Sequence, residues 1–225
     1  MFHTIYVLLL LYAACSTPLQ SLNQVPNLVQ DYKHCLSTRK FDEAKRNNKE
    51  INYFITNMIN TTGYELWRFA DDLMNAGRFE ESIPIYFAAA SLYKKERDLR
   101  EMSWCVGGGY EDDGKRDGSR VWKGMHGANV KMIERDGTMK EVVKHHVIPL
   151  MHNVKEQMLE LTSVSDKDKY WWVSWVLEYI ALSEELLDDD KAAEETMKEC
   201  EAWKERYRIE KKRCKPWWKK IKDVL

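Results

Sequence analysis

The sequence predicts an all-helical chain of antiparallel helical hairpins, stacked as a short solenoid or closed as a helical bundle. Three observations carry that expectation. Apolar residues recur at helical spacing through most of the chain, and no segment sustains the two-residue alternation of a half-buried strand. Lys40-Phe41-Asp42-Glu43-Ala44 is echoed 38 residues later by Arg78-Phe79-Glu80-Glu81-Ser82. A third echo, Asp189-Asp190-Lys191-Ala192-Ala193, lies 111 residues further on, three periods of 37. The 225 residues are 44% apolar and 32% charged with only ten Gly and five Pro, which excludes collagen-like or low-complexity chains. One sizeable domain fits that length.

The first element is read as a signal peptide over residues 1–16. Ile5 to Tyr12 is an unbroken apolar run, followed by the small residues Ala13, Ala14, Cys15 and Ser16, with cleavage expected near Ser16. From Ile5 to Cys15 an 11-residue helix reaches only about 16 Å, too short for a hydrocarbon core of about 30 Å. His3 stands where Lys or Arg is usual, so an apolar first helix is the competing reading. No later stretch approaches 18 apolar residues, and Lys222-Asp223-Val224-Leu225 is not a retention signal. A secreted or secretory-lumen protein without a transmembrane anchor is therefore expected. The sequon Asn60-Thr61-Thr62 agrees, falling just before Gly63 at an expected inter-helix turn and marking Asn60 for glycosylation.

The helical domain is assigned to residues 17–213. Thr62 and Glu65 form a capping box for a helix over residues 64–76, and the turn 75–79 leads into a second helix bearing Ile83, Tyr86, Phe87, Ala89 and Ala90 at helical spacing. Met102 to Gly109 begins as a helix, but Gly107-Gly108-Gly109 would cost roughly 1 kcal/mol each inside it, so a break is expected there. Glu111 to Ser119 reads as a loop, Val121 to Arg135 as a helix, Asp136-Gly137 as a turn, and Met139 to Leu161 as a long helix. Ser165 caps the helix Asp168 to Leu187, and Ala193, Met197, Cys200 and Trp203 mark one face of the last.

Signal cleavage would leave four cysteines: Cys35, Cys105, Cys200 and Cys214. Cys200 and Cys214 are 14 residues apart on one expected helix, roughly 21 Å, whereas a disulfide needs Cα atoms within about 7 Å. They are expected to pair with Cys35 and Cys105, buried free thiols being the alternative. A four-thiolate zinc site lacks any C-x-x-C pair.

Leu66 to Lys94 resembles the tetratricopeptide repeat. Leu66, Phe69, Ala70 and Leu73 take that family's bulky, apolar, small and bulky positions in a first helix, and Ser82, Tyr86 and Ala89 its small, aromatic and small positions in the second. Leu177, Ile180, Ala181, Glu184, Ala193, Met197 and Cys200 make a second match, with Glu184 breaking a bulky position. The resemblance implies a groove lined by first helices in which a peptide lies. Carried onto this chain, it would show Tyr64, Trp67, Asp71, Met74 and Asn75 from one unit and Trp175, Glu178 and Leu182 from another. No Lys or Arg is among them, so an apolar, Pro-rich or basic peptide is the expected guest.

Catalytic and metal motifs fail one by one. His145, His146 and His152 lack a completing acid or Cys and any H-E-x-x-H, and Pro149 interrupts their helix. Gly107 to Gly114 lacks phosphate-loop spacing, and Asp112, Asp113 and Asp117 lack the alternation of a calcium loop. No nucleophile elbow is present. No cofactor, no metal and no enzymatic activity are expected. Tyr170, Trp171, Trp172, Trp175 and Tyr179 crowd one helix, with Trp171, Trp175 and Tyr179 on a stripe expected in the core and Trp172 pointing outward as a binding candidate.

The tail 214–225, with Trp217 and Trp218 among lysines, suits weak contact with an anionic surface or a solvated helix end. From Glu201 to Leu225 the chain carries ten bases against four acids. Net charge is only −1 and secretion removes nucleic acid as a partner. The function expected is binding of a protein or peptide, the alternative being a carrier of an apolar small ligand in a Trp-rich bundle.

Overall fold

Local sequence signals set the helix boundaries. In the computed structural model, which describes residues 24–107 and 123–213, α1 (Gln24–Ser37) and α2 (Phe41–Met58) precede α3 (Gly63–Asn75), α4 (Phe79–Glu96) and α5 (Leu99–Val106). After the undescribed 108–122 come α6 (Gly124–Arg135), a 3-10 turn (Gly137–Met139), α7 (Lys140–Val142), a π-helical turn (Val143–Val147), α8 (Ile148–Leu159), α9 (Asp166–Glu185) and α10 (Asp190–Arg213). The helical class is as predicted, and no strand forms among the described residues. The apolar N-terminal run, the Glu111 to Ser119 loop, Cys214 and the tail lie outside them.

Three predicted boundaries are built as the residues dictate. Thr62 accepts from the Glu65 amide while the Glu65 carboxylate accepts from the Thr62 amide, a complete capping box. The Ser165 hydroxyl accepts from Asp168 N at 3.1 Å and starts α9. Val106 ends α5, and Gly107 follows in extended backbone beneath the Tyr179 ring, where a Cβ would sit 2.0 Å from a ring atom. Only glycine fits that contact.

Four helices end in the same way. Arg39, Gly77, Arg97 and Asp188 take the left-handed conformation, and each chain reverses through one pair of backbone bonds. At the first turn Arg39 N donates to Leu36 O at 3.1 Å and Lys40 N to Cys35 O at 2.8 Å. The other three repeat this, with Arg78 N to Leu73 O at 2.9 Å, Asp98 N to Tyr93 O at 2.9 Å and Asp189 N to Glu184 O at 3.2 Å. The three sequence echoes fall just after three of these turns: α2 starts at Phe41, α4 at Phe79 and α10 at Asp190. The hairpins α1/α2, α3/α4 and α9/α10 are each packed face to face.

Pro149 interrupts its helix without ending it, as expected of the long helix read from Met139 to Leu161. A proline removes one amide and pushes on the carbonyl four residues back, and the chain absorbs this by widening one turn, with Ile148 N donating to Val143 O five residues earlier. The helical path from Lys140 to Leu159 continues, and His146 lies buried in the widened turn.

The core centres on α4, which packs against α1, α2, α3, α5, α6 and α8. A helix buried on all sides must be apolar all round, and Ile83, Tyr86, Phe87, Ala88, Ala89, Ala90, Leu92 and Tyr93 are all buried. Its two buried acids are paired: Glu80 with Arg135, and Glu81 with Arg78 and with Lys33 at 3.3 Å. Burial works against the Glu81 charge, and these cations outweigh it and hold the carboxyl below the ordinary range.

The cysteine expectation needs correction. Cys35, Cys105 and Cys200 are free and buried on three different helices, so Cys200 bridges neither of the others. Each thiol is absorbed by its own helix packing. Cys35 lies against Glu43 and Asn47 of α2 at 3.7 and 3.8 Å, and the Cys200 thiol donates to Ser174 O at 3.2 Å. Burial pushes all three thiols up, away from the reactive thiolate.

Candidate functional site

α3 is amphipathic, and its buried side sets what its outer side shows. Leu66, Ala70 and Leu73 face the core, which leaves Tyr64 and Arg68 exposed and Trp67 half-buried. Tyr64 is 57% exposed, among the most open large side chains described. Beside α3 runs α5, capped by Asp98, which buries Met102, Cys105 and Val106 and turns Arg100 and Trp104 outward. The two helices meet through Trp67 and Trp104, whose ring centroids are 6.5 Å apart and tilted by 45°.

Cations cover these rings. The Arg100 guanidinium lies 4.3 Å from the Trp104 ring centre, Lys123 Nζ lies 5.1 Å from that of Trp67, and Arg68 lies 6.0 Å from that of Tyr64. Such pairs are worth about 0.5–1 kcal/mol at exposed sites. Lys123 Nζ also lies 3.1 Å from Asp71 Oδ2, and the buried Tyr86 hydroxyl donates to Asp71 Oδ1. Burial first, and Asp71 second, push the Tyr86 hydroxyl far up, so it stays a donor. Asp71, expected as a groove residue, is thus committed to positioning Lys123 over Trp67. Trp67 Nε1 is shut off from solvent with no partner among the described residues.

A second aromatic cluster lies on α9 and α10. Trp171, Trp172 and Trp175 form a triangle with centroid separations of 6.1–6.5 Å, all three half-buried. Trp171 meets Tyr207 at 4.9 Å, Tyr170 meets Trp203 at 5.5 Å, and Trp175 meets Tyr179 at 6.3 Å. Two expectations change here. Trp172 is not singled out by exposure, because the ring sits against Trp171 and Trp175. The stripe is core only at Tyr179, which is 8% exposed. Glu178 is held by Lys204 at 3.3 Å.

The aromatic contacts fall into two groups. Trp67 belongs with Trp104 and Lys123, whereas Trp175 belongs with Trp171, Trp172 and Tyr179; no ring contact joins Trp67 to Trp175 among the described residues. Helix α5 packs against both α4 and α9, and Gly107 ends it under Tyr179. Met74 and Leu182 are partly buried against the core, and Asn75 is exposed at the end of α3. The expectation of a groove without Lys or Arg is corrected, since Arg68, Arg100 and Lys123 all reach the α3 side. Sequence reading missed Arg100, Trp104 and Lys123. The first two form an i,i+4 pair that marks one helix face, while Lys123 is brought in only by tertiary packing.

The other polar clusters are structural. His126 Nδ1 is 2.8 Å from Ser183 Oγ, which donates to Tyr179 O at 2.9 Å and accepts from Asn129 at 3.2 Å, all within the core. His146 Nε2 is 2.9 Å from the Tyr32 hydroxyl, tying α1 to the π-helical turn. His145 is exposed beside Glu141 and His152 half-buried, and no group of three metal-binding side chains occurs among the described residues. Asn60 is exposed between α2 and α3. No described helix is long and apolar enough to cross a membrane. The chain matches no protein-family model, no curated protein and no solved structure.

Proposed function

We propose that this chain is a protein- or peptide-binding module of the secretory pathway or extracellular space, acting without catalysis. The observation that carries the reading is the surface of α3 and α5, where Tyr64, Trp67 and Trp104 are layered with Arg68, Arg100 and Lys123. Aromatic side chains and Arg are the types that dominate binding energy at interfaces, because they offer large area with few rotors and a directed charge. Helices hold them in place before any partner arrives, which lowers the ordering cost of binding. The guest that fits is a segment offering flat apolar side chains to Tyr64 and Trp104 and a carboxylate to Arg68 or Arg100. The repeat reading is supported by the shared turn that closes α1/α2, α3/α4 and α9/α10, and the secretory reading by the apolar run from Ile5 to Tyr12.

The test is selection of a random peptide library on the immobilised protein. Enriched peptides should combine aromatic and acidic residues, and Trp104→Ala or Arg100→Ala should weaken them at least about tenfold, while Ile209→Ala on α10 leaves binding unchanged. Failure to enrich any sequence, or binding indifferent to both changes, sinks the proposal. Native mass spectrometry that finds a bound lipid instead would favour the carrier reading.

A further inference from the structure

Asn60 heads the only N-x-S/T sequence in the chain, and the fold both presents it and locks its neighbour. Asn60 is exposed, and no described residue hydrogen-bonds its side chain. Backbone is extended on either side of it, at Ile59 (φ −109, ψ 129) and Thr62 (φ −102, ψ 159). Two residues on, the situation reverses. Thr62 Oγ1 accepts from Glu65 N at 3.2 Å, and Glu65 Oε2 accepts from Thr62 N and from Thr61 Oγ1, both at 3.0 Å. Gly63 is buried against the Tyr93 ring, where a Cβ would lie 2.7 Å away, and its amide faces Glu96 Oε1 at 3.5 Å. On the other side of the turn Lys95 Nζ donates to Thr56 O at 2.7 Å. The sequon is thus clamped against the end of α4 by both flanks once α3 and α4 have packed.

We propose that Asn60 carries an N-linked glycan that is attached before α3 docks on α4, because folding takes the sequon's own Thr62 hydroxyl as the helix cap. A transferase must hold the Asn60 amide and the Thr62 hydroxyl together in one site, and the capping box with Gly63 against Tyr93 withholds the second. In the transfer, the bond from Asn60 Nδ2 to C1 of the first sugar forms and the bond from C1 to the diphosphate of a polyprenyl-linked oligosaccharide breaks. The electron pair leaves with the diphosphate, and the amide gives one proton to a base of the transferase. The proposal rests on the secretory reading, since only that route supplies the lipid-linked donor.

The full chain, made in eukaryotic cells behind an added cleavable secretion signal, decides the site. The expected result is a mass increase removed by an N-glycanase, absent in Asn60→Gln and Thr62→Ala, retained in Thr62→Ser, and already present on ribosome-bound chains. Thr62→Ala should also lower Tm by about 2–4 °C, the loss of one cap, when compared with Asn60→Gln, both being unglycosylated. An unmodified secreted chain overturns the site, and a glycan added only after release overturns the order of events. A parallel chain with its own N-terminus separates the readings. If it alone stays unsecreted while the signal-bearing chain is modified, secretion fails and the site stands.

Discussion

His126 and His146 show what burial does to a titrating group. Desolvation lowers each from 6.5 to about 4, with Lys45 adding to the effect at His146. Ser183 hydrogen-bonds the His126 ring and the Tyr32 hydroxyl that of His146. The unfolded chain binds a proton at each ring near pH 6.5, whereas the folded chain does so only near 4, so the stabilisation is complete above about 6.5 and is lost as the pH falls toward 4. Between pH 7.5 and 5 the loss is about 2 kcal/mol for each ring. Urea denaturation at those two pH values should show that drop, and His126→Asn and His146→Gln should each remove part of it. A slope unchanged in both variants would mean the rings are solvated at neutral pH. Adjacent residues on a helix point apart, so His146 enters the core while His145 stays outside beside Glu141.

At the scale of elements, the four matching turns separate what the sequence reveals from what it hides. Gly77 announces its turn, because a left-handed residue is cheapest as glycine. Arg39, Arg97 and Asp188 take the same conformation without that signal, and only the echoes after Arg39, Gly77 and Asp188 betray the common design. Arg97→Gly should relieve a strained, exposed position and stabilise the protein by about 0.5–1 kcal/mol, while Gly77→Ala should cost about 1 kcal/mol. Thermal unfolding of the two variants reads both signs, and a destabilised Arg97→Gly would contradict the shared construction. Helix starts at Thr62 and Ser165 and the break at Gly107 were legible because local chemistry fixes them. The π-helical turn was not, since Pro149 says that the ladder must change but not how. Nor were the free thiols: spacing along one helix excludes a Cys200–Cys214 bridge, but distances between helices are set by packing that Cys35, Cys105 and Cys200 do not report. Of the proposed binding surface, Tyr64 and Trp67 could be read from the face of one helix. Arg100, Trp104 and Lys123 join it because α5 and the start of α6 fold against α3.

Across the whole molecule, α4 is the shared support, and α5 packs against both α4 and α9. Trp67 and Trp104 touch across α3 and α5, whereas Trp172 stands on α9 against Trp171 and Trp175. Rings in contact lose a common interaction when either is removed, so their effects on stability should not add. Rings on separate surfaces share no partner, and theirs should. A cycle of Trp67→Ala, Trp104→Ala and the double variant is therefore expected to give a coupling of about 0.5–1.5 kcal/mol in chemical denaturation. The matching cycle of Trp104→Ala with Trp172→Ala should close to within about 0.5 kcal/mol. Once a peptide ligand is in hand, its affinity gives the same comparison for binding. A single continuous groove would make Trp104 and Trp172 contact one guest, and both changes would weaken it. Two surfaces would confine the loss to Trp104, leave Trp172→Ala with near-native affinity, and free the α9 triangle for a different partner.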